Sequence, residues 1–124
     1  MLDTTPNDQA VAFLNSFGAA LENHDIDAAV AMFQTDCYWR DLVSFTWNIK
    51  TLEGHDQIRD MLAAQLDSTK PTAWALDPKE LVTEDGGIVT AWITFETAVA
   101  RGYGLIRIKD GLIWTLLTSM TELK

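Results

Sequence analysis

At 124 residues the chain has the length of one domain, residues 1–124, and its 48% hydrophobic content is enough for a real core. A formal charge of −9 and a pI near 4.4, with the nine basic residues scattered singly, exclude a nucleic-acid or anionic-membrane surface, because phosphate binding needs clustered Lys and Arg. A single cysteine, Cys37, excludes an internal disulfide, and no apolar run approaches the roughly 20 residues of a membrane span.

Met1 to Pro6 lacks the basic and apolar regions of a signal peptide, so a soluble cytoplasmic protein is expected. Five tryptophans are many for this length. Side chains that large point to a pocket or an interface as well as a core.

In chain order, Thr5-Pro6-Asn7-Asp8 reads as a helix start: a capping threonine, a proline at the first helical position and an acid at the positive helix end. Val11, Leu14, Phe17 and Leu21 follow at helical spacing, with Phe13 widening the stripe. Glu22 to Asp25 breaks the pattern, and Asp25 caps a second helix with Ile26, Ala29, Val30 and Phe33 on one face. Gln34 to Asp36 reads as a turn. Cys37 to Leu42 then alternates as a strand, with Cys37, Trp39 and Asp41 on one side and Tyr38, Arg40 and Leu42 on the other. Val43 to Thr51 reads as a loop or short strand crossing a pocket mouth.

Gly54 to Leu66 is the third predicted helix, with Ile58, Met61, Leu62 and Leu66 on one face. Trp74 to Thr83 is a strand interrupted at Asp77-Pro78. Glu84 to Gly87 is a hairpin turn, and Ile88 to Val99 alternates Val89, Ala91, Ile93 and Phe95 against Thr90, Trp92, Thr94 and Glu96. Gly102 to Lys109 and Leu112 to Thr121 are two further strands joined at Asp110-Gly111. Helices segregated from antiparallel strands predict an α+β fold. The expectation is a cone-shaped barrel, a curved and mostly antiparallel sheet wrapped around three N-terminal helices.

Asn23-His24-Asp25 with Ala28 to Phe33, then Asp36 to Asp41, then Glu53-Gly54-His55-Asp56-Gln57-Ile58, together resemble the nuclear transport factor 2-like (SnoaL-like, cystatin-type cone) superfamily over nearly the whole chain. The run Tyr38 to Thr51 resembles the small N-terminal domain found ahead of some flavin-dependent monooxygenases. The superfamily includes ketosteroid isomerases, polyketide cyclases, dehydratases and members with no catalysis, so fold does not settle function.

The resemblance sets Asp41 where the isomerases carry their base. It also sets Phe17 where a tyrosine donor would sit, and Gly102 to Gly104 where a second acid would sit. Without those donors an enolate is poorly stabilised, which argues against steroid isomerisation.

The resulting expectation is a pocket for an apolar small molecule, walled by Phe13, Phe17, Trp39, Phe45, Trp47, Trp114, Leu116 and Met120, with Asp41 as its polar anchor. If catalysis occurs, Asp41 is the general acid/base of an isomerase, dehydratase or cyclase-type proton transfer. The alternative is a non-catalytic binding or interaction module, working with a flavin-dependent monooxygenase. Two histidines without metal-ligand spacing, and no nucleotide-binding loop, predict no metal and no cofactor. Trp92 on the open sheet face predicts a homodimer.

Overall fold

The structure, a computed structural model, describes residues 5–42 and 49–123. The first helix, α1 (Pro6–Glu22), begins as its sequence dictates: the Thr5 side chain accepts a hydrogen bond from the Asp8 amide at 3.1 Å. Its buried face carries Ala10, Leu14, Phe17 and Leu21. Val11, expected on that face, is 40% exposed. Positions 10, 14, 17 and 21 follow the 3.6-residue period better than the larger side chain at 11 suggests.

Asp25 caps α2 (Ile26–Ala31), its side chain accepting from the Ala28 amide at 3.1 Å. The third helix, α3 (Gly54–Thr69), buries Ile58, Met61, Leu62 and Leu66 and ends where Lys70 turns left-handed. Arg59 of α3 pairs with Asp27 of α2.

Seven strands form one open, twisted sheet: β1 (Phe33–Leu42), β2 (Ile49–Glu53), β3 (Thr72–Leu76), β4 (Thr83–Asp85), β5 (Ile88–Glu96), β6 (Ala100–Lys109) and β7 (Leu112–Leu123). Their order is β2-β1-β7-β6-β5-β3, with β4 also on β5. The α+β expectation is met, with two refinements. The barrel does not close, and β1 pairs with β7 in parallel while the other pairs are antiparallel. The third helix follows the first strand as expected, with β2 between them.

Strand β1 starts at Phe33, not after a turn at residues 34–36. The irregularity there is a register shift between Phe33 and Tyr38. The interrupted strand over 74–83 resolves into β3 and β4, both paired with β5. Of the expected loop over 43–51, residues 49–51 belong to β2, and 43–48 lie outside the described residues.

Helices α1 and α3 cover the inner sheet face, α1 against β3 and α3 against β1. Between them five rings fill the middle of the cone. Phe17 meets Phe33, Trp39 and Trp74 edge-on, with centroids 5.8, 6.3 and 5.5 Å away. Trp39 stacks on Phe33 at 5.8 Å and Trp74 stacks on Phe95 at 4.7 Å. Aromatic contacts of this kind contribute roughly 0.5–1.5 kcal/mol each beyond burial.

Gly104 is what lets β6 lie so close to β7. A Cβ built there would sit 2.0 Å from the Leu117 carbonyl oxygen, a backbone atom that cannot rotate away. Gly104→Ala is therefore expected to destabilise the protein by roughly 2–3 kcal/mol, read as a lowered urea midpoint. An unchanged midpoint would show that the two strands separate at little cost.

Candidate functional site

Alternation along β1 turns Cys37, Trp39 and Asp41 inward, as expected, and leaves Tyr38 and Arg40 exposed. Arg40 donates across the outer face to Thr51 Oγ1 at 3.2 Å. Parallel pairing then sets Asp41 directly beside Thr118 of β7, and Trp39 beside Leu116.

A hydrogen-bonded chain results. The Trp39 indole N–H donates to Thr118 Oγ1 at 2.9 Å, and the Thr118 hydroxyl donates to Asp41 Oδ1 at 2.7 Å. All three residues have 0% exposure. Because the indole can only donate, the threonine hydroxyl must accept from it and pass its own hydrogen to the carboxyl group. Each bond polarises the next, so the chain orients the Asp41 carboxyl more firmly than a single contact would.

Phe17 and Leu116 are buried beside the Trp39 end of this chain, and Met120, two residues beyond Thr118, is half-buried opposite Gly102. Phe13 and Trp114 do not join them. Phe13 lies one turn before Phe17 on α1 and lines a separate cavity of about 760 Å³. Trp114 was expected to face inward with Leu116. A register shift against Arg107 and Ile108 makes it a bulge residue, which returns Ile113 to the core at 0% exposure. The Trp114 ring lies instead under Lys109, whose Nζ is 5.9 Å from its centroid. Phe45 and Trp47 lie outside the described residues.

Phe17 and the Gly102–Gly104 stretch, which the resemblance sets at the donor positions of the isomerases, offer no donor side chain to the interior. Phe17 is enclosed by aromatic rings, and Gly102 and Gly104 face inward without side chains. His55 holds the start of α3 to the sheet, its Nε2 being 2.9 Å from the Phe33 carbonyl oxygen. Cys37 is buried, and that burial, reinforced by the charge of Asp36, raises its thiol pKa against the opposing effect of a backbone hydrogen bond from Gly54. A thiol held protonated in this way is a poor nucleophile. Among the described residues, no three His, Cys, Asp or Glu side chains come together as a metal set.

The residue missed by sequence reasoning is Thr118. Its inward alternation with Leu116 was readable, but its role depends on which strand lies beside β7. Thr118→Val keeps the shape and removes the hydroxyl between two buried polar groups. It should cost about 1–3 kcal/mol, measured by urea denaturation. Thr118→Ser should retain most of the stability. Equal losses for both would mean that the methyl group, and not the hydroxyl, is what matters there.

The comparisons with known proteins agree with this architecture. No curated protein sequence matches the chain. Among solved structures, a domain of unknown function with a cystatin-like fold from Nostoc punctiforme is 16% identical, with a TM-score of 0.74 over 96% of this chain and 80% of that one. A candidate aromatic ring hydroxylase from Novosphingobium aromaticivorans is 17% identical, with a TM-score of 0.72 over 98% and 95% of the two chains. The orange carotenoid protein of Anabaena (Nostoc) sp., which binds canthaxanthin, is 12% identical, with a TM-score of 0.66 over 89% of this chain and 36% of that one. At these identities the likenesses establish the fold. The model of the SnoaL-like domain matches residues 14–116, and the chain belongs to that family.

Proposed function

We propose that the chain is a single SnoaL-like domain that binds an apolar small molecule and uses Asp41 as the polar anchor of its site. The observation that carries this reading is the buried Trp39–Thr118–Asp41 chain. Enclosing a carboxyl group in an aromatic and aliphatic interior is costly, and such groups gather at functional sites. The wall is Phe17, Trp39, Leu116 and Met120. Since Asp41 is fully enclosed, a ligand reaches it by displacing the side chains that cover it. Where turnover occurs, the carboxyl group exchanges a proton with the ligand. With no donor at Phe17, Gly102 or Gly104, that proton transfer serves a substrate whose developing charge needs little stabilisation. The single buried thiol of Cys37 fits a reducing cytoplasm.

The experiment is a fluorescence titration with uncharged fused-ring ligands, each in a hydroxylated and a deoxy form. Wild type should favour the hydroxylated form, and Asp41→Ala should lose about tenfold or more for that form alone, as expected for a hydrogen bond to a charged group. If the variant leaves both forms unchanged, or weakens both equally, Asp41 is not the anchor. Deuterium uptake in D2O at the α-carbon of a bound cyclic β-diketone, whose second carbonyl spreads the developing charge, faster than its uncatalysed exchange and lost in Asp41→Asn, would identify Asp41 as the general base.

A second reading is favoured by the likeness to the candidate ring hydroxylase, which spans nearly all of both chains. On this reading the domain is a non-catalytic partner of a flavin-dependent monooxygenase and its interior is structural. The fluorescence titration separates the two readings, since a structural interior binds neither the hydroxylated nor the deoxy ligand.

We also infer a homodimer through the open sheet face. Trp92, Leu105, Leu117 and Arg40 lie in register across four strands, and Tyr103 stacks on Trp92 with centroids 6.1 Å apart. Trp92 and Tyr103 remain 36% and 40% exposed, an apolar area that a second copy would cover. Light scattering should give a dimer for wild type and a monomer for Trp92→Arg. A wild-type monomer overturns this assignment.

A further inference from the structure

The 760 Å³ cavity belongs to the other end of the cone. Strand β1 enters the sheet at Phe33, paired with Ile113, and reaches Asp41 eight residues later. The register shift before Tyr38 takes up part of that length: five residues of β7 separate the partners Ile113 and Thr118, about 16 Å at the rise of a β-strand. The rings of Phe17, Phe33 and Trp39 fill the interior between the two ends. The cavity is therefore not an extension of the Asp41 surroundings.

Its walls come from three places. One face of α1 contributes Gln9, Ala12, Phe13 and Ser16, at helical spacing. Met32 closes one side, and its carbonyl oxygen accepts from the Ile113 amide at 2.8 Å, which ties the end of α2 to β7. Val89, Ile108 and Leu112 form the sheet side. A volume of this size falls within the several hundred to about 1,000 Å³ typical of small-molecule sites.

The charges around it have one sign. Glu84 of β4 and Asp110 of the β6–β7 turn line the cavity and are exposed. No Lys or Arg among the described residues lines it, and the nearest in sequence, Lys109, is turned over Trp114. An apolar interior with two carboxylates at its edge, on a chain of net charge −9, suits a molecule with an apolar body and a cationic head.

We propose that this cavity is a second binding site, separate from Asp41, for an amphiphilic cation such as an alkylamine or alkylammonium compound. The body lies against Phe13, Met32, Val89 and Leu112, and the head lies between Glu84 and Asp110.

The chain carries its own reporters. With 13C-methyl methionine labelling, Met32 reports this cavity, Met120 the Asp41 end, and Met61 a smaller cavity between β2 and α3. The probes are decyltrimethylammonium, decan-1-ol and decanoate, which share a chain and differ in head charge, each below its micellar concentration. The ammonium probe should shift the Met32 methyl, leave Met120 in place and bind more tightly than decanoate. Ala12→Trp should abolish binding by filling the cavity.

The double variant E84Q/D110N should weaken the ammonium probe about fivefold and leave decanol unchanged, as expected for exposed ion contacts. Asn suits the left-handed backbone at position 110, so this variant should fold even if the tryptophan variant does not. The proposal is overturned if no probe binds, if Met120 or Met61 shifts instead of Met32, or if decanoate binds as tightly as the ammonium compound. It is also overturned if the double variant binds the ammonium probe as wild type does. Loss of the Asp41 function in Asp41→Ala, with Met32 shifts intact, would leave this site standing alone.

Discussion

The burial of Trp39 constrains the rest of the molecule. Its ring stacks on Phe33 and meets Phe17, so it fixes how α1 lies over the sheet. Its single N–H must find an acceptor once it is removed from water, since an unsatisfied buried donor costs about 1–3 kcal/mol. Thr118 supplies that acceptor, and Thr118 is within reach only because β7 runs beside β1 in parallel. The same hydroxyl has one hydrogen to give, and Asp41 takes it. One indole therefore couples the aromatic core, the strand order and the orientation of the buried carboxyl group.

Much of this was legible in the sequence where physics acts locally. The Thr5 and Asp25 caps, the inward alternation of Trp39 and Asp41, and the meander with its Gly-containing turns follow from spacing and turn chemistry. Non-local pairing was not legible in the same way. The β1–β7 pairing joins segments some eighty residues apart, and nothing within either strand names its neighbour. Thr118 is consequently absent from the expected wall, although it lies between Leu116 and Met120 on the same strand.

Bulges explain the other departures. Alternation assigns faces only while each residue has one partner. Between residues 113 and 115 the register of β7 slips against β6, and Trp114 leaves the inward set while Ile113 enters it. A second slip lies between Arg101 and Gly102, where Thr121 is the extra residue and Met120 stays on the inner face opposite Gly102. On α1 the error was one of size: Val11 is the larger side chain, yet Ala10 holds the phase that Leu14 and Phe17 require. Gly18 shows the same closeness from the other side, since a Cβ there would meet the Trp74 ring at 3.0 Å.

The filled centre bears on how a cone of this kind can work. A continuous apolar pocket running the length of the sheet would let one ligand touch both Phe13 and Asp41, which is the site that the sequence suggests. Here Phe17 divides the interior, with Phe13 one helical turn to one side and the Trp39–Thr118–Asp41 chain on the other. Helix α1 thus contributes to two environments of opposite character. One is closed, with a hydrogen-bonded carboxyl group at its heart. The other is open, apolar within and negative at its rim. The rings of Phe17, Phe33, Trp39 and Trp74 touch one another between the two, so each end is enclosed by its own residues and a ligand at one need not displace those of the other.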